Sequence, residues 1–258
     1  MSKLYKSLGI AIETCSNQAF LIIKFTGKIS QNITLGFHAP IDSPYLKDSK
    51  DDLQKLCKPL RRAIIGLLKM PGIVRVSVRK YQIILEKANL FTWHELEHQI
   101  IKNLTDSFFP HAKDFISIGI SLEYNPIRKH TDLLMEVPPN SNVHTYHTRT
   151  PLINYFYHSL FTTTKKKNIT GYGKLGNSIA KRLLDIPGIK EISLSLYEIR
   201  IEKKENHNWK EIDKAIIQAL KETAFKEQDE IRIQTYDWAS KRRSRAKTIW
   251  LKNIKAAS

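Results

Sequence analysis

Cysteine is nearly absent from this 258-residue chain, with Cys15 and Cys57 the only two thiols. That is too few for a disulfide scaffold, so a reducing, intracellular and cytoplasmic setting is expected, with an organelle matrix left open. Long apolar runs are missing too. No stretch approaches the roughly 18 residues that cross a bilayer, and no transmembrane segment is expected. The first residues, Met1-Ser2-Lys3-Leu4-Tyr5-Lys6, lack the apolar stretch and small-residue cleavage site of a secretory signal. Acidic residues are scarce, 25 against 42 Lys and Arg, for a formal net charge of +17. Such an excess repels itself and attracts polyanions by counterion release. A Lys- and Ile-rich composition set by an AT-rich genome gives the same balance without any partner.

What is present is enough apolar material for a core. Hydrophobic residues make up 41% of the chain and run along its whole length, which excludes wholesale disorder and suits one large domain or two ordinary ones. The chain also repeats itself. Leu67-Leu68-Lys69-Met70-Pro71-Gly72-Ile73 aligns with Leu183-Leu184-Asp185-Ile186-Pro187-Gly188-Ile189 at an offset of 116, and the alignment continues without a gap. Tyr81 meets Tyr197, Leu85-Glu86-Lys87 meets Ile201-Glu202-Lys203, Trp93 meets Trp209, and Leu104 meets Leu220. Both Pro-Gly pairs and both tryptophans fall in register, the mark of an internal duplication.

Each copy has a physical reading. Residues 59–69 and 176–185 carry apolar positions at helical spacing, and Pro-Gly then stops the helix. Residues 73–78 with 81–86, and 189–194 with 197–202, read as β-hairpins. Trp93 and Trp209 open second helices with Leu96/Ile212, Ile100/Ile216 and Leu104/Leu220 on one face. Upstream strand pairs are expected at 8–13 with 19–25 and at 115–123 with 131–137. The prediction is an α+β chain: two tandem β-β-α-β-β-α sandwiches, residues 1–110 and 111–225, then a basic helical tail, 226–258.

These residues resemble the N-terminal domain of Nfu/NifU-type iron–sulfur scaffold proteins. The likeness rests on Asn177-Ser178-Ile179-Ala180-Lys181-Arg182 running into the Pro187-Gly188-Ile189 turn, on Ile199-Arg200-Ile201-Glu202-Lys203 followed by Trp209, and on Glu123-Tyr124-Asn125-Pro126. The resemblance implies that family's α+β unit and an accessory place among iron–sulfur assembly factors. The family carries its cluster on a separate Cys-x-x-Cys domain, and no Cys-x-x-Cys occurs in this sequence. No cofactor is expected.

Two motifs invite chemistry. His94-Glu95-Leu96-Glu97-His98 spells the zincin H-E-x-x-H, whose two histidines share a helix face. The second copy reads Lys210-Glu211-Ile212-Asp213-Lys214 in the same frame, and the apolar stripe leaves His94 and His98 on its shoulder. Glu123 serves as a distant third ligand only if the fold brings it close. A solvated helix face is the reading preferred over a zinc hydrolase. Gly171-Tyr172-Gly173-Lys174-Leu175-Gly176 spells G-x-G-x-x-G, but a charge run precedes it where a dinucleotide site needs a buried strand. A loop is expected there. The scattered histidines, including His144, His147 and His158, read as structural or surface residues, and the chain as a non-enzyme.

Positive charge clusters at Lys58, Arg61 and Arg62; at Lys165, Lys166 and Lys167; and at Lys241, Arg242, Arg243, Arg245 and Lys247 between Trp238 and Trp250. Aromatics flanking an Arg/Lys run suit phosphate contact with base stacking. A solvated tail, or a helix lying on an anionic membrane, are the other readings of that segment. The function expected is a non-catalytic binding protein for RNA or a ribosomal or other ribonucleoprotein surface, with oligomeric state left open.

Overall fold

The computed structural model describes residues 10–14, 17–31, 34–41, 47–110, 130–139, 142–153, 159–162, 169, 171–228, 230–238, 242–243 and 247–250. The chain divides into two compact units, Met1–Tyr124 and Asn125–Ser258. It is α+β throughout, with two sheets and five helices among the described residues.

The first unit runs β1 (Ile10–Thr14), β2 (Phe20–Phe25), β3 (Leu35–His38), α1 (Lys47–Gln54), α2 (Lys58–Leu68), β4 (Ile73–Arg79), β5 (Gln82–Lys87) and α3 (Trp93–Phe108). Its sheet has the order β1-β2-β5-β4-β3, and every pair is antiparallel. Alternate residues turn inward, as a pleated strand requires: Leu21, Ile23 and Phe25 on β2, Val76 and Val78 on β4, Ile83 and Leu85 on β5. They are buried along with Leu60, Ile64 and Leu67 of α2 and Leu96, Ile100 and Leu104 of α3. Each fully buried Leu or Ile stabilises by roughly 1.5–3 kcal/mol relative to exposure. The two helices approach closely at Gly66, where an added Cβ would fall 1.8 Å from Asn103 Oδ1. Asn103 itself donates to the Ala63 carbonyl at 2.8 Å, tying α3 to α2.

The second unit runs β6 (His130–Val137), β7 (Val143–Thr148), β8 (Ser159–Thr162), α4 (Gly173–Leu184), β9 (Ile189–Leu194), β10 (Glu198–Lys203), α5 (Trp209–Glu222), β11 (Glu230–Asp237), β12 (Arg242–Arg243) and β13 (Lys247–Trp250). The sheet order is β12-β11-β6-β7-β10-β9-β8, with β13 also pairing with β11. All of its pairs are antiparallel except β6 with β11, which is parallel. Leu133, Tyr146, Ile192, Leu194, Ile199, Ile201 and Ile231 from the strands form one core with Ile179, Leu183, Ile212, Ile216 and Leu220 from α4 and α5.

The same turn architecture occurs in both units. Gly72 and Gly188 both have φ of 90°, a left-handed value open to glycine without a Cβ penalty. Ala88 N–H donates to the Gly72 carbonyl at 2.8 Å, and Lys204 N–H donates to the Gly188 carbonyl at 2.8 Å. A β-bulge interrupts β4/β5 between Ile73 and Arg75, and β10/β9 is interrupted at the matching residues, where Lys203 faces Ile189 and Glu202 faces Glu191.

Two expectations need correction and a third is met in part. Each unit has a third strand, β3 or β8, before its main helix, and the first unit also has the short α1. Residues 131–137, read as half of an upstream hairpin, form a strand with β7 on one side and β11 on the other; the expected partner, 115–123, lies outside the described residues. The tail expected to be helical instead supplies β11, β12 and β13 to the second sheet. Its Ile231 and Ile233 alternate with Arg232 and Gln234, a period of two that suits a strand and leaves no helical stripe.

Candidate nucleic-acid interface

The basic end of the chain is held on a strand frame. Ile231 of β11 is buried in the core and Ile233 packs against it, which anchors the strand and leaves its other residues half-buried. Opposite it, Arg243 pairs with Tyr236, Arg242 with Asp237, Lys247 with Ile233, and Trp250 with Glu230. The cations expected on a helix therefore belong, at Arg242, Arg243 and Lys247, to an edge ribbon of strands paired with β11. Charge on an outer strand also protects a sheet edge from pairing with other chains.

Trp238 sits where β11 ends. Its backbone N–H donates to the Val137 carbonyl at 3.1 Å, and its ring meets Tyr236 edge-on at 5.3 Å and 80°. The indole is nonetheless 47% exposed. From Trp238 to Ser258 the chain has seven Lys and Arg and no acidic residue.

Lys165, Lys166 and Lys167, like Lys241 and Arg245, lie outside the described residues. In the first unit Arg62 is exposed. Arg61 is committed elsewhere: its guanidinium donates to the carbonyls of Gln54 and Leu56 at 3.0 and 3.1 Å. It satisfies carbonyls at and just past the C-terminal end of α1.

His94 and His98 are exposed on α3, and Glu123 lies outside the described residues. Among the described residues no group of three or more His, Cys, Asp or Glu is placed to hold a metal. In the G-x-G-x-x-G segment, Gly171 and Gly173 take φ of 93° and 77°. Gly176 is pressed against Ile153, whose Cγ2 would lie 2.5 Å from an added Cβ. These glycines serve the turn and the packing of α4.

The sequence reading missed a buried polar cluster in the second unit. Asp213 Oδ1 accepts from the Tyr146 hydroxyl at 2.5 Å and lies 3.1 Å from His144 Nδ1. The His144 ring stacks on Trp209 at 3.6 Å and 8°. Burial, then the Asp213 carboxylate, pushes the Tyr146 hydroxyl well above its ordinary value, so it stays a donor. A second buried histidine, His147, stands between Glu136 at 3.3 Å and Glu198 at 3.4 Å. One signal was available, since Asp213 falls one turn after Trp209 on the inward face of α5 (Trp209, Asp213, Ile216, Leu220), where an acid needs a buried partner.

No helix of the described residues is long and apolar enough to cross a membrane. No family model, curated protein or solved structure matches this chain.

Proposed function

We propose that the chain is a non-catalytic binding protein, built by tandem duplication of one α+β unit, that docks on RNA or a ribonucleoprotein surface through the basic edge of its second sheet. The observation that carries this reading is an exposed Trp238 set on a rigid strand end, beside an acid-free segment of seven cations. Cations neutralise phosphates, and an aromatic face stacks on any base, so the pairing suits single strands and tolerates sequence. Binding to a fluorescent oligoribonucleotide, measured between 50 and 200 mM salt, should weaken steeply, by about tenfold or more. A dissociation constant flat across that range defeats the proposal. Trp238→Ala should weaken binding by roughly tenfold through loss of one stack while leaving the salt slope unchanged.

The resemblance supports a second reading, an accessory role in iron–sulfur cluster assembly, through the repeated unit alone. Co-purification with a cluster carrier that survives nuclease treatment would favour it.

A further inference from the structure

In the bulge-and-turn corner shared by the two units, Glu86 and Lys87 match Glu202 and Lys203, but five positions that are apolar in the first unit are polar in the second. Register and matched hydrogen bonds pair the positions. Val74 corresponds to Lys190 at the bulge, and Ala88, Leu90 and Phe91 correspond to Lys204, Asn206 and His207. Ala19, whose carbonyl accepts from Lys87 N–H, corresponds to Asn142, whose carbonyl accepts from Lys203 N–H. In the first unit Phe91 is buried over Gly72, 2.4 Å from where a Cβ would stand. In the second, His207 covers Gly188 at the same 2.4 Å, but it is exposed. The result is a cavity of about 440 Å³ lined by Asn142, Lys190, Lys203, Lys204, His207 and their neighbours.

Its charges are not balanced. The Lys203 side chain is nearly buried, at 7% exposure. Its ammonium donates only to neutral oxygens, Asn142 Oδ1 at 3.0 Å and the Glu205 and Lys204 carbonyls at 3.2 and 3.5 Å. Of the two carboxylates of the lining, Glu202 is paired with Lys190 and Glu205 forms no ion pair with a lining lysine. Glu202 accepts from Lys190 at 2.6 Å, and that bond raises the Lys190 ammonium above its ordinary value. Three lysines thus face two carboxylates, neither Lys203 nor Lys204 forms an ion pair among the described residues, and the His207 imidazole and Asn206 amide add further donors at the same opening. A buried cation without an anion creates a strong local field, and bulges re-aim side chains toward functional sites.

We propose that this corner binds a compact phosphate group, carried either by a mononucleotide or by the 5′ end of a nucleic-acid strand. Lys203 supplies a fixed field, Lys204 and Lys190 close on the phosphate oxygens, and His207 and the two asparagine amides hold what the phosphate is attached to. The site is separate from the edge ribbon and does not depend on it.

The test is calorimetric titration of the full chain with inorganic phosphate, with adenosine 5′-monophosphate, and with one oligoribonucleotide bearing either a 5′-phosphate or a 5′-hydroxyl. The phosphorylated strand should bind at least about tenfold more tightly than its hydroxyl twin if the strand end is the source. Tight mononucleotide binding with no preference between the strands names the free nucleotide. A variant carrying the first unit's residues, Lys190→Val/Lys204→Ala/Asn206→Leu/His207→Phe, should keep its fold and lose the phosphate preference, as should Lys204→Gln alone to a smaller degree. If the wild type binds neither phosphate nor mononucleotide and treats both strands alike, or if the folded variant keeps the preference, the site does not exist. Trp238→Ala separates the two proposals, because it weakens strand binding without touching the preference for phosphate.

Discussion

On the strand beside its central hairpin, β2, the first unit buries Leu21 and Ile23. The second buries His144 and Tyr146 at the matching places on β7. The frame is the same, but the first interior is held by area removed from water and the second partly by directed hydrogen bonds to Asp213. Area tolerates small rearrangements, whereas a buried polar group without its partner costs its whole desolvation. One backbone design thus supports two kinds of interior, and their failures should differ.

The largest difference is expected at the turns. Gly72→Ala adds a Cβ at φ 90° against the buried Phe91 ring and should cost about 3 kcal/mol from backbone strain plus overpacking. Urea unfolding followed by hydrogen exchange should show that loss in peptides of the first unit alone. Next comes Asp213→Ala, which strands the Tyr146 hydroxyl and the His144 imidazole and should cost about 2 kcal/mol in the second unit. Its near match in the first unit, Glu97→Ala on the exposed side of α3, should change stability within about 0.5 kcal/mol. Gly188→Ala should cost about 1 kcal/mol, less than Gly72→Ala, because the exposed His207 can swing away. Equal losses at the two glycines would mean that backbone strain dominates and the covering ring is irrelevant.

The smallest effect is a difference in pH response. Burial, with help from Arg75, lowers His38 in the first unit to about 4. The folded chain therefore keeps this ring neutral while the unfolded chain protonates it, and stability is lost as pH falls from about 6.5 toward 4. In the second unit the raised Tyr146 works at the other end of the scale. Its contribution is complete below about pH 10, the ordinary value, and is lost as pH rises through the higher folded value. Acid should loosen the first unit's peptides before the second's, and base should do the reverse. His38→Gln should flatten the acid limb.

What the sequence reveals follows from where patterning is strong. Helices α2 to α5 and the hairpins β4/β5 and β9/β10 combine apolar periodicity with Pro-Gly stops, and both signals are local. Strand β7, Val143-His-Thr-Tyr-His-Thr, has little apolar alternation because its inward residues are polar and satisfied by Asp213 and Trp209, far along the chain. Strands β3 and β8 are four residues each, too short for periodicity. The tail misled for another reason: its Lys/Arg density drew attention away from the alternation of Ile231 and Ile233. The candidate interface was legible as composition at Trp238, Arg242 and Arg243, but not as geometry. The polar corner around Lys203 was invisible, because it arises from a difference between two aligned turns and from no motif.

The parallel pairing of β6 with β11 joins Glu230 to His130, and this bears on how the protein is made. The first unit's described strands and helices are complete by Phe108, so it can close while the rest is still being translated. The second cannot finish its sheet until a strand one hundred residues downstream has emerged, and such distant closure is slow. During that interval β6 presents an uncovered edge, as a nascent chain open to mispairing or to a chaperone. A ribosome stalled shortly before residue 230 should therefore display a folded first unit and a protease-sensitive second.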